Sequence, residues 1–88
     1  MKLTKEDKDC LKHFGNLDRD MPQIERAISV TTYKFRGERI SREKTIELLG
    51  RKKYLAGISR SAFHWDSVQK TENGECVFFD SSKLFREK

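Results

Sequence analysis

Asn73 and Gly74 constrain the fold of this chain more than any other feature, because an Asn-Gly pair favours the positive φ angles of a two-residue hairpin turn. The pair lies between residues 63–71 and 76–80, which are rich in aromatic and β-branched side chains. With Asn73 and Gly74 as the turn, Val68 faces Phe79 and apolar side chains pair across the two strands. The sequence therefore predicts a C-terminal β-hairpin in this register.

A second hairpin is predicted before the middle of the chain. Residues 30–35 are β-branched and aromatic, and Arg36-Gly37 can turn the chain back into residues 38–40.

Capping residues and helix breakers predict four short helices around these strands. A side-chain oxygen is placed to cap the first three, and a glycine or the end of the apolar stripe stops each one. Residues 81–85 are expected to add a helical turn that lays Leu84 or Phe85 on the core. The four helices follow Thr4 and stop at Gly15, follow Asp20 and end by Ser29, follow Ser41 and stop at Gly50, and cover 51–56 before Gly57 breaks the helix.

The expected architecture is α+β, a small single domain spanning 1–88, with the helices packed on one side of a short antiparallel sheet made of two hairpins. Charged residues make up 38% of the chain and hydrophobic residues 35%. The apolar residues are nevertheless clustered and periodic, which favours a folded chain. Among others, the predicted core includes Phe14, Leu17, Phe63, Trp65 and Val68.

Charge and composition limit the partners and the compartment. The net charge of +5 favours phosphate backbones or acidic protein surfaces and disfavours a mimic of DNA. No window approaches the roughly 20 apolar residues of a membrane span, so we expect no membrane association and a cytoplasmic location. Two cysteines far apart in sequence predict free thiols.

The sequence contains the residue types of two chemical sites but disfavours both. Cys10, His13, His64 and Cys76 are the ligand types of a zinc site, but the second pair lacks the usual spacing. His64 with Ser59, Ser61, Asp66 and Ser67 offers the residue types of acyl transfer without an accompanying nucleophile or phosphate-loop motif. We therefore expect no metal, no cofactor and no enzymatic activity.

A cluster of cations interleaved with aromatic rings is the only segment whose chemistry indicates a partner. Guanidinium and ammonium groups suit phosphate contact, and flat rings suit base stacking. The alternative is a solvated face in which these cations pair with Glu38, Glu43 and Glu47 while the rings enter the core. The residues predicted to bind nucleic acid are Arg36, Arg39, Arg42, Arg51, Lys52, Lys53, Tyr54, Arg60 and His64.

Two family resemblances accompany these residues. SREKTIELLG at 41–50 followed by ISRSAFHW at 58–65 resembles the helix-turn-helix of excisionase-type and MerR-type regulators, with residues 51–57 in place of their short turn. In that family the second segment opens a recognition helix and the Asn73-Gly74 hairpin would be the wing. The order Ile-Ser, Leu-Leu-Gly, Arg-Ser-Ala-Phe-His and Phe-Asp-Ser-Ser-Lys-Leu-Phe is similar to small proteins of bacterial mobile elements.

Two functions follow as hypotheses. The first is a small basic non-enzymatic binding module that associates with nucleic acid, DNA being the expected form, as a regulator of a mobile element such as a phage. The alternative is a protein-binding inhibitor of a host defence nuclease, of the anti-restriction or anti-CRISPR type. An exposed apolar patch of Trp65, Phe78 and Phe85 would favour the protein partner, and a continuous cationic stripe would favour nucleic acid. The oligomeric state is left open.

Overall fold

The structure is a computed structural model that describes residues 3–86. Within this range no helix is both long enough and apolar enough to cross a bilayer. The elements in chain order are α1 (Lys5–His13), a 3-10 turn (Asp18–Asp20), α2 (Met21–Val30), β1 (Thr32–Phe35), β2 (Glu38–Ile40), α3 (Arg42–Leu49), α4 (Arg51–His64), β3 (Asp66–Lys70), β4 (Cys76–Asp80) and α5 (Ser82–Arg86).

The two predicted hairpins form one four-stranded antiparallel sheet. The strand order is β2-β1-β4-β3, so β1 pairs with β4 and joins the hairpins at the centre of the sheet. Tyr33, Val77 and Phe79 are buried on the face that meets the helices, while Phe78 on the other face is exposed. The predicted α+β fold is confirmed.

Phe79 lies at the centre of the core. Its ring is fully buried, with the ring of Tyr33 perpendicular to it at 5.3 Å and that of Tyr54 at 5.9 Å between centroids. The backbone of α4 comes so close to Phe79 that a Cβ atom placed on Gly57 would lie 2.6 Å from the ring. A glycine at this position therefore lets the helix and the sheet approach each other.

Helix α4 differs from the prediction. It runs without interruption through Gly57 to His64, whereas the sequence predicts a break after residue 56. Phe63 and His64 belong to its last turn, and β3 begins only at Asp66. The low helix propensity of glycine is overridden here by packing against Phe79.

The register of the C-terminal hairpin also differs from the prediction by one residue. Val68 pairs with Phe78, and Ser67 pairs with Phe79. The loop is longer than two residues, since Thr71 accepts a hydrogen bond from the amide of Gly74 at 2.9 Å and donates its own amide to Glu75 at 2.9 Å. This is a three-residue loop with Gly74 in the left-handed region at φ 81°.

Two of the three predicted helix caps form. The Thr4 hydroxyl accepts the amide of Asp7, whose carboxylate accepts the amide of Thr4, both at 3.2 Å. Ser41 accepts the amide of Lys44 at 3.1 Å. Asp20, expected to cap α2, instead accepts the amide of Leu17 at 3.2 Å and closes the 3-10 turn.

Three buried hydroxyl groups connect α2, α4 and α5. Ser81 lies 2.5 Å from the hydroxyl of Thr31 and 2.8 Å from that of Ser61, which in turn donates to the carbonyl of Ile58. Because Ser61 and Ser81 are fully buried, this chain satisfies polar atoms that would otherwise lose water without replacement.

Five side chains predicted for the core lie on the surface instead. They are Phe14, Leu17, Phe63, Trp65 and Val68, and each is more than a third exposed. The longer helix α4 and the shifted hairpin account for Phe63, Trp65 and Val68, whereas Phe14 and Leu17 lie at and after the end of α1.

Candidate nucleic-acid interface

Helix α4 carries a cationic exposed face. Its sequence holds no Asp or Glu, and its buried stripe, which includes Leu55, Ile58 and Ala62, faces the core. The helical period places the exposed residues together on the opposite side. We name this side the α4 face, and its residues are Lys52, Lys53, Arg60, Phe63 and His64.

Contacts with three other elements fix the orientation of α4. Ser67 of β3 donates its hydroxyl to the carbonyl of Gly57 at 2.7 Å, and Gln23 of α2 donates to the carbonyl of Ala62 at 3.1 Å. Asn16 donates to the hydroxyl of Ser59 at 2.6 Å from the segment after α1. The helix is therefore held along its length, and the α4 face is a preorganised surface.

The cations of the α4 face are not paired with carboxylates. Lys52, Lys53 and Arg60 form no ion pair with any acidic side chain in residues 3–86. Lys53 donates to the carbonyl of Lys70 at 3.1 Å, which leaves its charge uncompensated. Lys53 and Arg60 lie two turns apart, about 10.5 Å along the helix.

Two of the predicted nucleic-acid ligands are held by carboxylates. Arg51 makes two hydrogen bonds to Asp7 at 2.5 and 2.7 Å, and Arg36 makes two to Glu75 at the same distances. These bonds are the main reason that the pKa values of both carboxyl groups lie below their usual range. Each of these arginines thus serves a contact between elements of the fold.

Arg39 and Arg42 lie at the other edge of the sheet from the α4 face. Arg39 is an exposed residue of the edge strand β2, and half-buried Arg42 opens α3 with its guanidinium 3.7 Å from Glu43. Helix α4 packs against β3, which is the opposite edge strand. The predicted cations are therefore divided between two sides of the molecule and do not form one stripe.

Tyr54 does not lie on the surface. Its ring is 3% exposed, and its hydroxyl hydrogen-bonds that of Tyr33 at 2.7 Å in the core. Burial raises the pKa of Tyr54 well above its usual value. The expectation that Tyr54 stacks on a base is therefore corrected, and the exposed rings of this helix are those of Phe63 and His64. Phe63 lies three residues after Arg60. In a helix that continues past Gly57, this spacing places both side chains on the same face.

A groove runs beside the α4 face. Its volume is about 510 Å³, and α4, the segment after α1 and strand β3 all contribute to its walls. Its lining contains two partly exposed phenylalanine rings and no Asp or Glu. The lining residues are Phe14, Asn16, Ala56, Ser59, Arg60, Phe63, His64 and Gln69.

A separate apolar patch lies on the side of the sheet that faces away from the helices, where the exposed side chains of Asp66 and Asp80 adjoin it. We name it the outer sheet face; it comprises Trp65, Val68 and Phe78, with Phe85 beside Trp65. The exposed fractions are 57% for Trp65, 46% for Val68 and 51% for Phe78. The rings of Trp65 and Phe85 are stacked with centroids 5.6 Å apart.

Trp65 holds an unusual backbone conformation at this surface. Its φ of 72° is rare for a bulky residue, and such positions cost of order 1–3 kcal/mol. Its carbonyl accepts the amide of Ser81 at 2.6 Å, which fixes the turn between α4 and β3.

The residues considered for metal binding or catalysis are spread over the fold. Within residues 3–86 no three His, Cys, Asp or Glu side chains form a group able to hold a metal ion. Cys10 and Cys76 are half-buried free thiols on α1 and β4. Of the residues considered for catalysis, Ser61 is buried in the hydroxyl chain and Ser67 is buried with its hydroxyl bonded to the carbonyl of Gly57.

Ser59, Arg60 and Ser61, which the regulator resemblance places at the start of a recognition helix, lie in the third turn of α4. Comparisons with protein families, with curated proteins and with solved structures find no match to this chain.

Proposed function

We propose that this protein is a small basic non-enzymatic binding module that engages nucleic acid through the α4 face. The observation that carries the proposal is a preorganised helix face with three cations and no carboxylate. The proposed phosphate contacts are Lys52, Lys53 and Arg60, with Phe63 and His64 beside them. The role as regulator of a mobile element rests on the sequence resemblance alone.

Uncompensated cations on a rigid element favour phosphate because binding releases the counterions condensed on the nucleic acid. Three phosphate contacts on duplex DNA correspond to a slope of about −2.7 in log affinity against log salt, or about a 40-fold loss of affinity between 50 and 200 mM salt. Arg36 and Arg51 are excluded from this sum, since releasing either one breaks a two-bond contact with a carboxylate.

The test is a fluorescence anisotropy titration of labelled DNA and RNA at these two salt concentrations. Lys52→Gln, Lys53→Gln and Arg60→Gln combined should remove most of the salt dependence. The matched control replaces Lys8, Arg26 and Lys83 with glutamine, because these exposed residues of α1, α2 and α5 carry the same total charge. Equal effects of the two triple variants would show that only net charge matters and would refute the α4 face as the site.

A second candidate function, binding of a protein, is favoured by the outer sheet face. Trp65, Val68 and Phe78 are each about half exposed on one side of the sheet, and clustered exposed apolar side chains mark protein interfaces. An inhibitor of a defence nuclease would use this surface and leave the α4 face uncovered.

The two candidates are separated by affinity capture from the native cells after nuclease digestion. Val68→Thr with Phe78→Ser should abolish capture of a protein partner, while the triple glutamine variant of the α4 face should retain it. The opposite pattern would refute the outer sheet face as the protein-binding surface.

A further inference from the structure

The groove beside the α4 face has the features of a binding site for a nucleobase. We propose, on the basis of the nucleic-acid function above, that this groove receives an unpaired base and that the ligand of the α4 face is single-stranded nucleic acid. The base would lie between Phe14 and Phe63 while Arg60 contacts the adjoining phosphate.

The two phenylalanine rings of the groove are exposed, although burying them would enlarge the small hydrophobic core. Phe14, at the end of α1, is 37% exposed, and Phe63, in the last turn of α4, is 42% exposed. Both line the groove from different elements. Stacking on such rings tolerates any base, because every base has a π-face.

Polar groups in the groove complement the edges and the charge of a nucleotide. Arg60 and Gln69 line it, and neither side chain hydrogen-bonds another residue among those described. An amide such as that of Gln69 can donate to and accept from the edge of a base. Asn16 differs, since its amide group already donates to Leu11 and Ser59 and fixes the wall of the groove.

The shape and charge of the groove also favour a nucleotide as its ligand. It is a depression of about 510 Å³ that is open to solvent and lined by two flat phenylalanine rings. The absence of Asp and Glu from the lining leaves the positive charge of Arg60 without a local counter-charge. An anionic ligand with a flat apolar part meets both conditions, and a nucleotide is such a ligand.

The groove requires an unpaired base because the faces of bases in a duplex are covered by their neighbours. A paired base would have to leave the stack, at a cost that single-stranded nucleic acid does not incur. The cations of the α4 face extend from Arg60 to Lys53 over two helical turns. A single strand that enters the groove can therefore continue along the helix.

The test compares labelled oligomers of about 12 thymidines or adenines with a duplex of the same length. Single strands should bind at least about tenfold more tightly than the duplex. Phe63→Ala and Phe14→Ala should each weaken single-strand binding by about 5- to 150-fold, the range of lost base stacking, without changing the salt slope. Arg60→Gln should reduce the slope by about 0.7 for a single strand.

Phe78→Ala is the matched control, because it removes a similarly exposed ring from the opposite side of the sheet and should leave affinity unchanged. Circular dichroism melts confirm that each variant is folded. Equal, salt-sensitive affinity for duplex and single strand that Phe63→Ala does not change would refute the base-binding groove. That result would leave the proposed function intact. Absence of salt-sensitive binding to every oligomer would overturn both. Equal losses of single-strand affinity from Phe63→Ala and Phe78→Ala would also refute the base-binding groove.

Discussion

Replacing Gly57 with alanine is expected to destabilise the protein, although alanine is the better helix former. The new Cβ atom would lie 2.6 and 2.7 Å from two ring carbons of Phe79. Carbon atoms in contact normally lie about 3.5–4.0 Å apart, so the ring would have to move by about 1 Å. Phe79 is fully buried and packs against the rings of Tyr33 and Tyr54, so its ring cannot move without displacing them.

The expected loss follows from two opposing terms. Removing glycine from a helix interior contributes about 1 kcal/mol of stability. Overpacking of a rigid core costs about 1–3 kcal/mol, and a contact this short to a fixed ring places the cost at the upper end. The free energy of unfolding should therefore fall by about 2 kcal/mol, or about 8–16 °C in melting temperature for a domain of this size.

Thermal and urea unfolding followed by circular dichroism measure this loss. Ala56→Gly is the control on the same helix, because it changes helix propensity by about 1 kcal/mol without adding an atom. Phe79→Leu should cost less in the Gly57→Ala background than alone, since the smaller side chain relieves the overlap. A Gly57→Ala protein as stable as the parent would refute the continuous helix and its contact with Phe79.

Three further predictions test the hairpin, an ion pair and the buried hydroxyl chain by urea unfolding. Gly74→Ala should cost about 1 kcal/mol because of its positive φ, and Asn73→Ala less than about 0.5 kcal/mol; equal costs would indicate the two-residue turn. The hydrogen bonds from Arg51 lower the folded-state pKa of Asp7, so this pair contributes stability above about pH 4 that is lost as pH falls through the lowered value. Because Arg51 is half exposed, Arg51→Gln should reduce the free energy of unfolding at pH 7 by only about 1–2 kcal/mol. It should also flatten the decline of stability towards pH 3, and an unchanged pH dependence would contradict this. Ser81→Ala should cost about 2 kcal/mol because two buried hydroxyl groups lose a partner, and a neutral result would contradict the chain.

The local signals of the sequence predicted most elements. Thr4 and Ser41 cap their helices as expected, and the turn at Arg36 and Gly37 forms the predicted N-terminal hairpin. These features depend on residues within a few positions of one another, which is the range over which propensity and capping act.

The errors come from contacts between distant residues. Gly57 signals a helix break by propensity, and only Phe79, far along the chain, explains why the helix continues. Gly74 has a positive φ in a two-residue and in a three-residue loop alike, so the turn could not set the register. The pairing of β4 with both of its neighbours decides it.

The candidate site was predicted in part for the same reason. Lys52, Lys53 and Arg60 can be found from local charge, and the helical period then places them on one face. The pairs formed by Arg36 with Glu75 and by Arg51 with Asp7 join residues 39 and 44 positions apart, which no local pattern reveals. Such pairs compensate the charge of arginines that would otherwise be available to a ligand.

The place of β4 has a consequence for synthesis of the protein. It is the last of the four strands to leave the ribosome, yet it occupies the middle of the sheet. Until it emerges, β1 and β2 are an isolated hairpin, which is marginally stable in water, and the tyrosine rings of the core lack their aromatic neighbour. The sheet can therefore close only after residue 80 has emerged, and until then the core side chains of the growing polypeptide stay accessible to chaperones and proteases.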